Sequence, residues 1–142
     1  MIKGVVLSPE KQIQNAKGDI YHVLKESSEG YAGFGEAYFS SVGKGTIKGW
    51  KRHNEMTLNL VVPVGSIRFI IHEGQVDDDI SDSFVEVILN KDNYSRLTIP
   101  PGLWVGFQGL ANGLNLLLNI IDAEHDPNEA DDVDISFFNF KW

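Results

Sequence analysis

The sequence has no cysteine, which excludes disulfides, thiolate-bound zinc and thiol catalysis together. It has no run of about 18 apolar residues, so no membrane-spanning helix is expected. Met1-Ile2-Lys3 is not followed by an apolar stretch of secretory length, so no signal peptide is expected either, and a cytoplasmic location is compatible with both absences. Basic residues are few: 12 Lys and Arg stand against 20 Asp and Glu, for a net charge of −8. That balance argues against nucleic acid as a partner, because phosphate contacts need clustered cations. Also missing are a Gly-rich phosphate loop, a nucleophile–base–acid triad and a His-Glu-x-x-His zinc motif. Helical periodicity is almost absent.

What remains is a chain of 142 residues, 42% apolar and 23% charged, long enough for one domain with a sizeable core. Short β-branched and aromatic runs recur between turn residues. Val5–Leu7, Ile20–Lys25, Phe34–Ser40, Ser66–His72, Phe84–Leu89 and Tyr94–Ile99 all read as strands. Leu114–Asp122 is almost continuously apolar; the strand rhythm before it and the lack of helix caps favour a buried strand. The expected architecture is one antiparallel sandwich or barrel. Asp77-Asp78-Asp79 lacks the spacing of a calcium loop and reads as a solvated hairpin tip. From residue 129 the tail is acidic, then aromatic, ending Ser136-Phe137-Phe138-Asn139-Phe140-Lys141-Trp142. Such a tail docks on the outside of its own barrel or forms a dimer contact.

The chain is organised around Gly45 to Thr57, continued by Leu58 to Gly65. Five residues separate Gly45 from Lys51, and His53 follows at the next position of the same parity. In cupin barrels a strand of this layout carries His-x-His at the barrel mouth. Three segments fall in the order of one branch of that superfamily: Asn15-Ala16-Lys17-Gly18-Asp19, Gly45 to His53, and Ile99-Pro100-Pro101-Gly102-Leu103-Trp104-Val105-Gly106-Phe107. With Phe34-Gly35-Glu36-Ala37-Tyr38-Phe39, they make the sequence resemble the dTDP-4-dehydrorhamnose 3,5-epimerases and the related dTDP-sugar 3,4-ketoisomerases. The resemblance implies an all-β cupin double-stranded β-helix (a jelly-roll barrel), a homodimer, a nucleotide sugar in the mouth, and no required metal or other cofactor.

The family's site residues carry over unevenly. The epimerase Arg-Gly-Leu-His aligns with Lys48-Gly49-Trp50-Lys51, which puts the base histidine on Lys51. The expected lysine falls near Leu58 and the acid tyrosine near Leu118. The ketoisomerase His-x-His falls on Lys51 and His53, and the histidine of the Pro-x-Gly-x-x-His turn on Val105. The phosphate-contacting Arg-Gly corresponds to Lys17-Gly18. Glu36 and Tyr38 fall where the epimerases place polar residues facing the sugar.

Both reactions begin with a base removing a proton beside the 4-keto group while a donor stabilises the enolate. An imidazole suits the first task, so His53 is the candidate base. Lys51 shares its strand parity and is the candidate enolate stabiliser. Lys17, Lys48 and Arg52 are candidates for the diphosphate; Lys48 and Arg52 have the parity opposite to Lys51, so only a bulge would bring all three into one cavity. Trp104 is a candidate for stacking on a base or sugar, whereas Trp50 suits barrel packing. Asn59 and Asn119 lie inside apolar runs and need partners, either a sugar or a backbone carbonyl. His22 and His72 read as structural or exposed, and His125-Asp126-Pro127 as a loop turn. Lys51, His53, Leu58 and Val105 make no metal site. Two rival readings remain beside the enzyme: a binding cupin without catalysis, and a structural protein acting through its aromatic tail.

Overall fold

The computed structural model describes residues 1–74 and 84–142; the Asp77–Asp79 segment lies outside the described residues. Two five-stranded antiparallel sheets face each other in a jelly-roll barrel. The first contains β1 (Val6–Pro9), β4 (Glu36–Ser41), β6 (Leu58–Val64), β9 (Ser95–Ile99) and β11 (Leu116–Ile121), in the order β1-β9-β6-β11-β4. The second contains β5 (Ile47–His53), β7 (Ser66–His72), β8 (Phe84–Asn90), β10 (Trp104–Gly109) and β12 (Ala130–Asp132), in the order β12-β5-β10-β7-β8. A small hairpin pairs β2 (Gln12–Ile13) with β3 (Ile20–Tyr21). The strand expected over Ile20–Lys25 is therefore only two residues long. The stretch after it is a loop lying on the first sheet, where the His22 carbonyl accepts the Tyr94 hydroxyl at 2.8 Å.

Alternation along each strand builds the core. Leu58, Leu60 and Val62 of β6 meet Ile67, Phe69 and Ile71 of β7 between the sheets, with Leu97, Ile99, Leu117 and Ile121 completing the layer. Each such side chain contributes about 1.5–3 kcal/mol by leaving water. Of the apolar stretch Leu114–Asp122, residues Leu116–Ile121 form the expected strand, buried on its inner face and half-buried on the other, while Leu114 is 53% exposed.

Part of each outer face is also covered, by different chemistry. Over the first sheet, Arg96 is 1% exposed and fully engaged. Its Nε donates to Glu10 at 3.0 Å, one terminal nitrogen to Asn59 and Thr98 at 2.5 and 2.7 Å, and the other to the Glu29 carbonyl at 2.9 Å. Over the second sheet, the tail folds back on its own barrel. Phe138, Phe140 and Trp142 pack on Trp50, Ile70 and Trp104, and the Trp50 indole donates to the Ile135 carbonyl at 3.0 Å. Gly106 makes room for this: a Cβ there would lie 2.8 Å from the Trp142 ring. The tail thus belongs to the barrel wall, and Trp50, wholly buried, is its anchor.

Candidate active site

The site depends on an irregularity in β5. Val105 of β10 pairs with Lys51 while Phe107 pairs with Lys48, so three steps on β5 match two on β10. The extra residue is a bulge, and it reverses the parity of everything before it. Gly49 sits there at φ +157° with its Cα side against Gly106, where a Cβ would lie 2.8 Å from the Gly106 Cα. Lys48 is thereby turned to the same side as Lys51 and His53, which strict alternation forbids.

These side chains line a cavity of about 330 Å³ between the sheets. One wall is Lys48, Lys51 and His53 of β5, with Asp132 of β12. The facing wall is Tyr38 and Ser40 of β4 with Asn119 of β11. The floor is hydrocarbon: Leu58, Leu60, Phe69, Val105, Phe107 and Leu117. Asn119 donates through its Nδ2 to the Tyr38 hydroxyl at 3.0 Å, and its Oδ1 is buried with no partner. A buried amide half-satisfied by the protein costs stability unless a ligand completes it.

β12 supplies what sequence reasoning missed. Its approach to β5 sets three carboxylates against three successive basic residues. Glu129, itself buried, lies 2.8 Å from His53 Nδ1. Asp131 accepts from Arg52 at 2.7 Å, and Asp132 lies 3.7 Å from the Lys51 ammonium. Because a carboxylate only accepts hydrogen bonds, Nδ1 carries the hydrogen and Nε2 is left as the basic nitrogen. Glu129 is also held from behind, its Oε1 accepting the Asn54 N–H at 3.2 Å. The exposed Asp131 is held below the usual carboxylate range by the hydrogen bonds from Arg52 and Asn54. The acidic run is thus the counterpart of Lys51-Arg52-His53, and the signal for it was the charge match between two segments about 76 residues apart.

The structure brings together His53, Lys51, Lys48, Tyr38 and Asn119, and separates the other candidates from them. Arg52 points outward, its guanidinium 4.8 Å from the Trp104 ring centre. Trp104 itself packs under the tail, not in the mouth, 5.6 Å from Phe138. Asn59 faces the outer side of the first sheet, bonded to Arg96, Thr98 and the Gly30 carbonyl. Lys17 lies in an exposed turn, its N–H donated to Asn15, away from the cavity. Glu36 accepts the His125 N–H at 3.0 Å and so anchors a loop. Of the positions where the family resemblance expects function, Leu58 and Val105 are floor residues, while Leu118 lies on strand β11 next to the inward Asn119. Among the described residues no group of three or more His, Cys, Asp or Glu could hold a metal ion.

A jelly roll whose cavity presents a carboxylate-backed imidazole, an ammonium group and a phenol is a cupin equipped for proton transfer to and from carbon. No protein-family model matches the chain. Among solved structures, it is 36% identical to a dTDP sugar isomerase from Desulfovibrio desulfuricans G20, over 99% of this chain and 91% of that one, with a TM-score of 0.89. The chain belongs to the dTDP-sugar isomerase and epimerase family. Two more distant structures share the fold. One is a dTDP-6-deoxy-D-glucose-3,5-epimerase from Legionella pneumophila, 18% identical over 95% of this chain and 75% of that, with a TM-score of 0.79. The other is a sugar 3,4-ketoisomerase from Thermoanaerobacterium thermosaccharolyticum, 21% identical over 92% and 88%, with a TM-score of 0.74. A curated relative, a probable low-salt glycan biosynthesis epimerase of Haloferax volcanii, is 24% identical over 102 residues; the match spans 71% of this chain and 65% of the relative's length.

Proposed function

We propose that the protein is a nucleotide-sugar epimerase or ketoisomerase that acts on a dTDP-4-keto-6-deoxyhexose by removing a proton next to the keto group. The observation that carries this reading is the His53–Glu129 pair, 2.8 Å apart, on the wall of a cavity that also holds Lys51 and Tyr38. His53 Nε2 takes the proton from the carbon beside the carbonyl, and Glu129 stabilises the imidazolium that forms. The C–H electron pair moves onto the carbonyl oxygen, and the Lys51 ammonium offsets the enolate charge. The Tyr38 phenol, on the facing sheet, returns a proton from the other side, with Asn119 orienting it. Lys48, at the far end of β5, and Ser40 of β4, whose hydroxyl accepts from the Lys48 ammonium at 3.2 Å, take the diphosphate. The hydrocarbon floor receives the deoxy edge of the sugar.

We further propose that residues 1–142 form a single domain and act as a cytoplasmic homodimer in the making of a surface polysaccharide or a glycosylated metabolite. The family resemblance supports the dimer. So does an apolar strip on the outer face of the first sheet, where Phe39 pairs with Leu118 and Phe39 and Val64 are 64% and 39% exposed.

A second reading, a nucleotide-sugar-binding cupin without turnover, is favoured by one observation: Leu58 and Val105 put hydrocarbon where the family resemblance expects a lysine and a histidine. Incubating the protein with dTDP-4-keto-6-deoxyglucose in deuterium oxide separates the two. The enzyme incorporates deuterium beside the keto group and His53→Ala does not. Tight binding without any incorporation by the wild-type protein would establish the binding module instead.

A further inference from the structure

The proton-transfer scheme makes no use of His125, yet the fold sets it beside the reacting groups. Asp122 to Glu129 carries the chain from the first sheet to the second, and it is pinned along its length. Asp122 Oδ1 accepts the Thr57 N–H at 2.9 Å, Glu36 Oε2 accepts the His125 N–H at 3.0 Å, and Asp126 Oδ1 accepts the Asn128 N–H at 2.9 Å. Beside this loop is a second chamber of about 230 Å³, which shares Lys51, His53 and Asp132 with the first. Its remaining walls are His125, Asp126, Pro127, Met56 and Ala130.

Three physical facts bear on what this chamber receives. The first is position. Along β5 the order is Lys48, Lys51, His53, spanning roughly 15 Å at the usual strand rise. Lys48 lines only the first chamber, whereas His53 lines both. A ligand with its diphosphate at Lys48 and its reacting carbon at His53 therefore directs its remaining edge at His125. The second is chemistry. The Asp126 and Asp132 carboxylates repel a diphosphate, and together with the His125 imidazole they accept hydrogen bonds from hydroxyl groups. The third is size, since the chamber is smaller than the usual range for a whole small-molecule site and suits part of a ligand.

We propose that this chamber is the subsite for the hydroxyl-bearing edge of the sugar remote from the diphosphate, with His125 its specificity-determining residue. The proposal rests on the nucleotide-sugar reading above. It also explains the role of Glu36: a carboxylate that holds the loop backbone fixes the subsite without touching the ligand.

Calorimetric titration with dTDP and with dTDP-glucose tests it, using the wild type, His125→Ala and His125→Gln. The loop is held through the His125 backbone, so removing the side chain leaves the fold and the thermal midpoint intact. His125→Ala should weaken dTDP-glucose about five- to tenfold, the usual worth of one neutral hydrogen bond, and leave dTDP unchanged. His125→Gln, which can still hydrogen-bond, should recover part of the loss. Equal weakening of both ligands, or weakening of neither, overturns the subsite while leaving the nucleotide-sugar reading intact. A wild-type protein that binds neither ligand overturns both.

Discussion

Asn59 and Asn119 are the same residue type, each set in an apolar strand of the first sheet and each nearly buried, at 3% and 4% exposure. They differ in what surrounds them. Asn59 faces outward into the Arg96 network, and both ends of its amide are satisfied, by Arg96 and Thr98 at one end and the Gly30 carbonyl at the other. Asn119 faces inward, bonds Tyr38, and keeps its other end, the buried Oδ1, without a partner beside the cavity. A completed network is a device of stability; an incomplete one facing a cavity is a place for a ligand. The same division separates Arg52 from Lys51 across β5, one locked to Asp131 and stacked on Trp104, the other opening on the cavity.

Substitutions that break one side of this division should leave the other untouched. The largest effect is expected inside. His53→Ala should slow exchange at the carbon beside the keto group by about 10²–10⁴-fold, with the Arg96 network on the outer face left intact. Glu129→Gln should slow it less while preserving ligand affinity, because it disturbs the orientation of the base but not the cavity. On the outside, Arg96→Ala should remove about 3–5 kcal/mol of stability by stranding Glu10, measured by urea unfolding, and should leave nucleotide affinity alone in whatever fraction folds. The asparagines give the sharpest contrast at intermediate size. Asn59→Leu should cost about 1–3 kcal/mol without weakening the ligand, whereas Asn119→Leu should cost little stability and weaken the ligand.

His72 gives the smallest effect. It is fully buried and stacked 4.4 Å from the Phe84 ring, and it accepts the Gly74 N–H at Nδ1. Burial holds its pKa below the ordinary 6.5, against the opposing charge of Glu73. The folded state therefore favours the neutral ring. Its contribution is complete above the unfolded value and is lost as the pH falls below about 6.5. The urea midpoint should drop between pH 7.5 and pH 5, and the drop should shrink in His72→Gln.

The strands were largely legible in the sequence because β-branched runs between turn residues leave few alternatives. The asparagines were not. Alternation places Asn59 opposite Leu58 and Leu60, but both faces of β6 are apolar and buried, so parity does not say which face is the core. Lys48 was named as a candidate, but its facing was hidden by the bulge at Gly49, which depends on a glycine in another strand, Gly106, with no side chain to block it. Glu129 was hidden by distance along the chain. His53 and Lys51 were legible because two functional residue types at one parity, on a strand entering a barrel mouth, are visible locally. Trp104 misled because its proline-glycine turn reads the same whether the ring faces the mouth or the tail.

The most direct test is a crystal of His53→Asn soaked with dTDP-4-keto-6-deoxyglucose. The account predicts the hexose inside the barrel, with the carbon next to its keto group facing residue 53 and the sugar ring against the Tyr38–Asn119 pair. A hexose bound outside the barrel, or lodged there with that carbon turned away from residue 53, would contradict it.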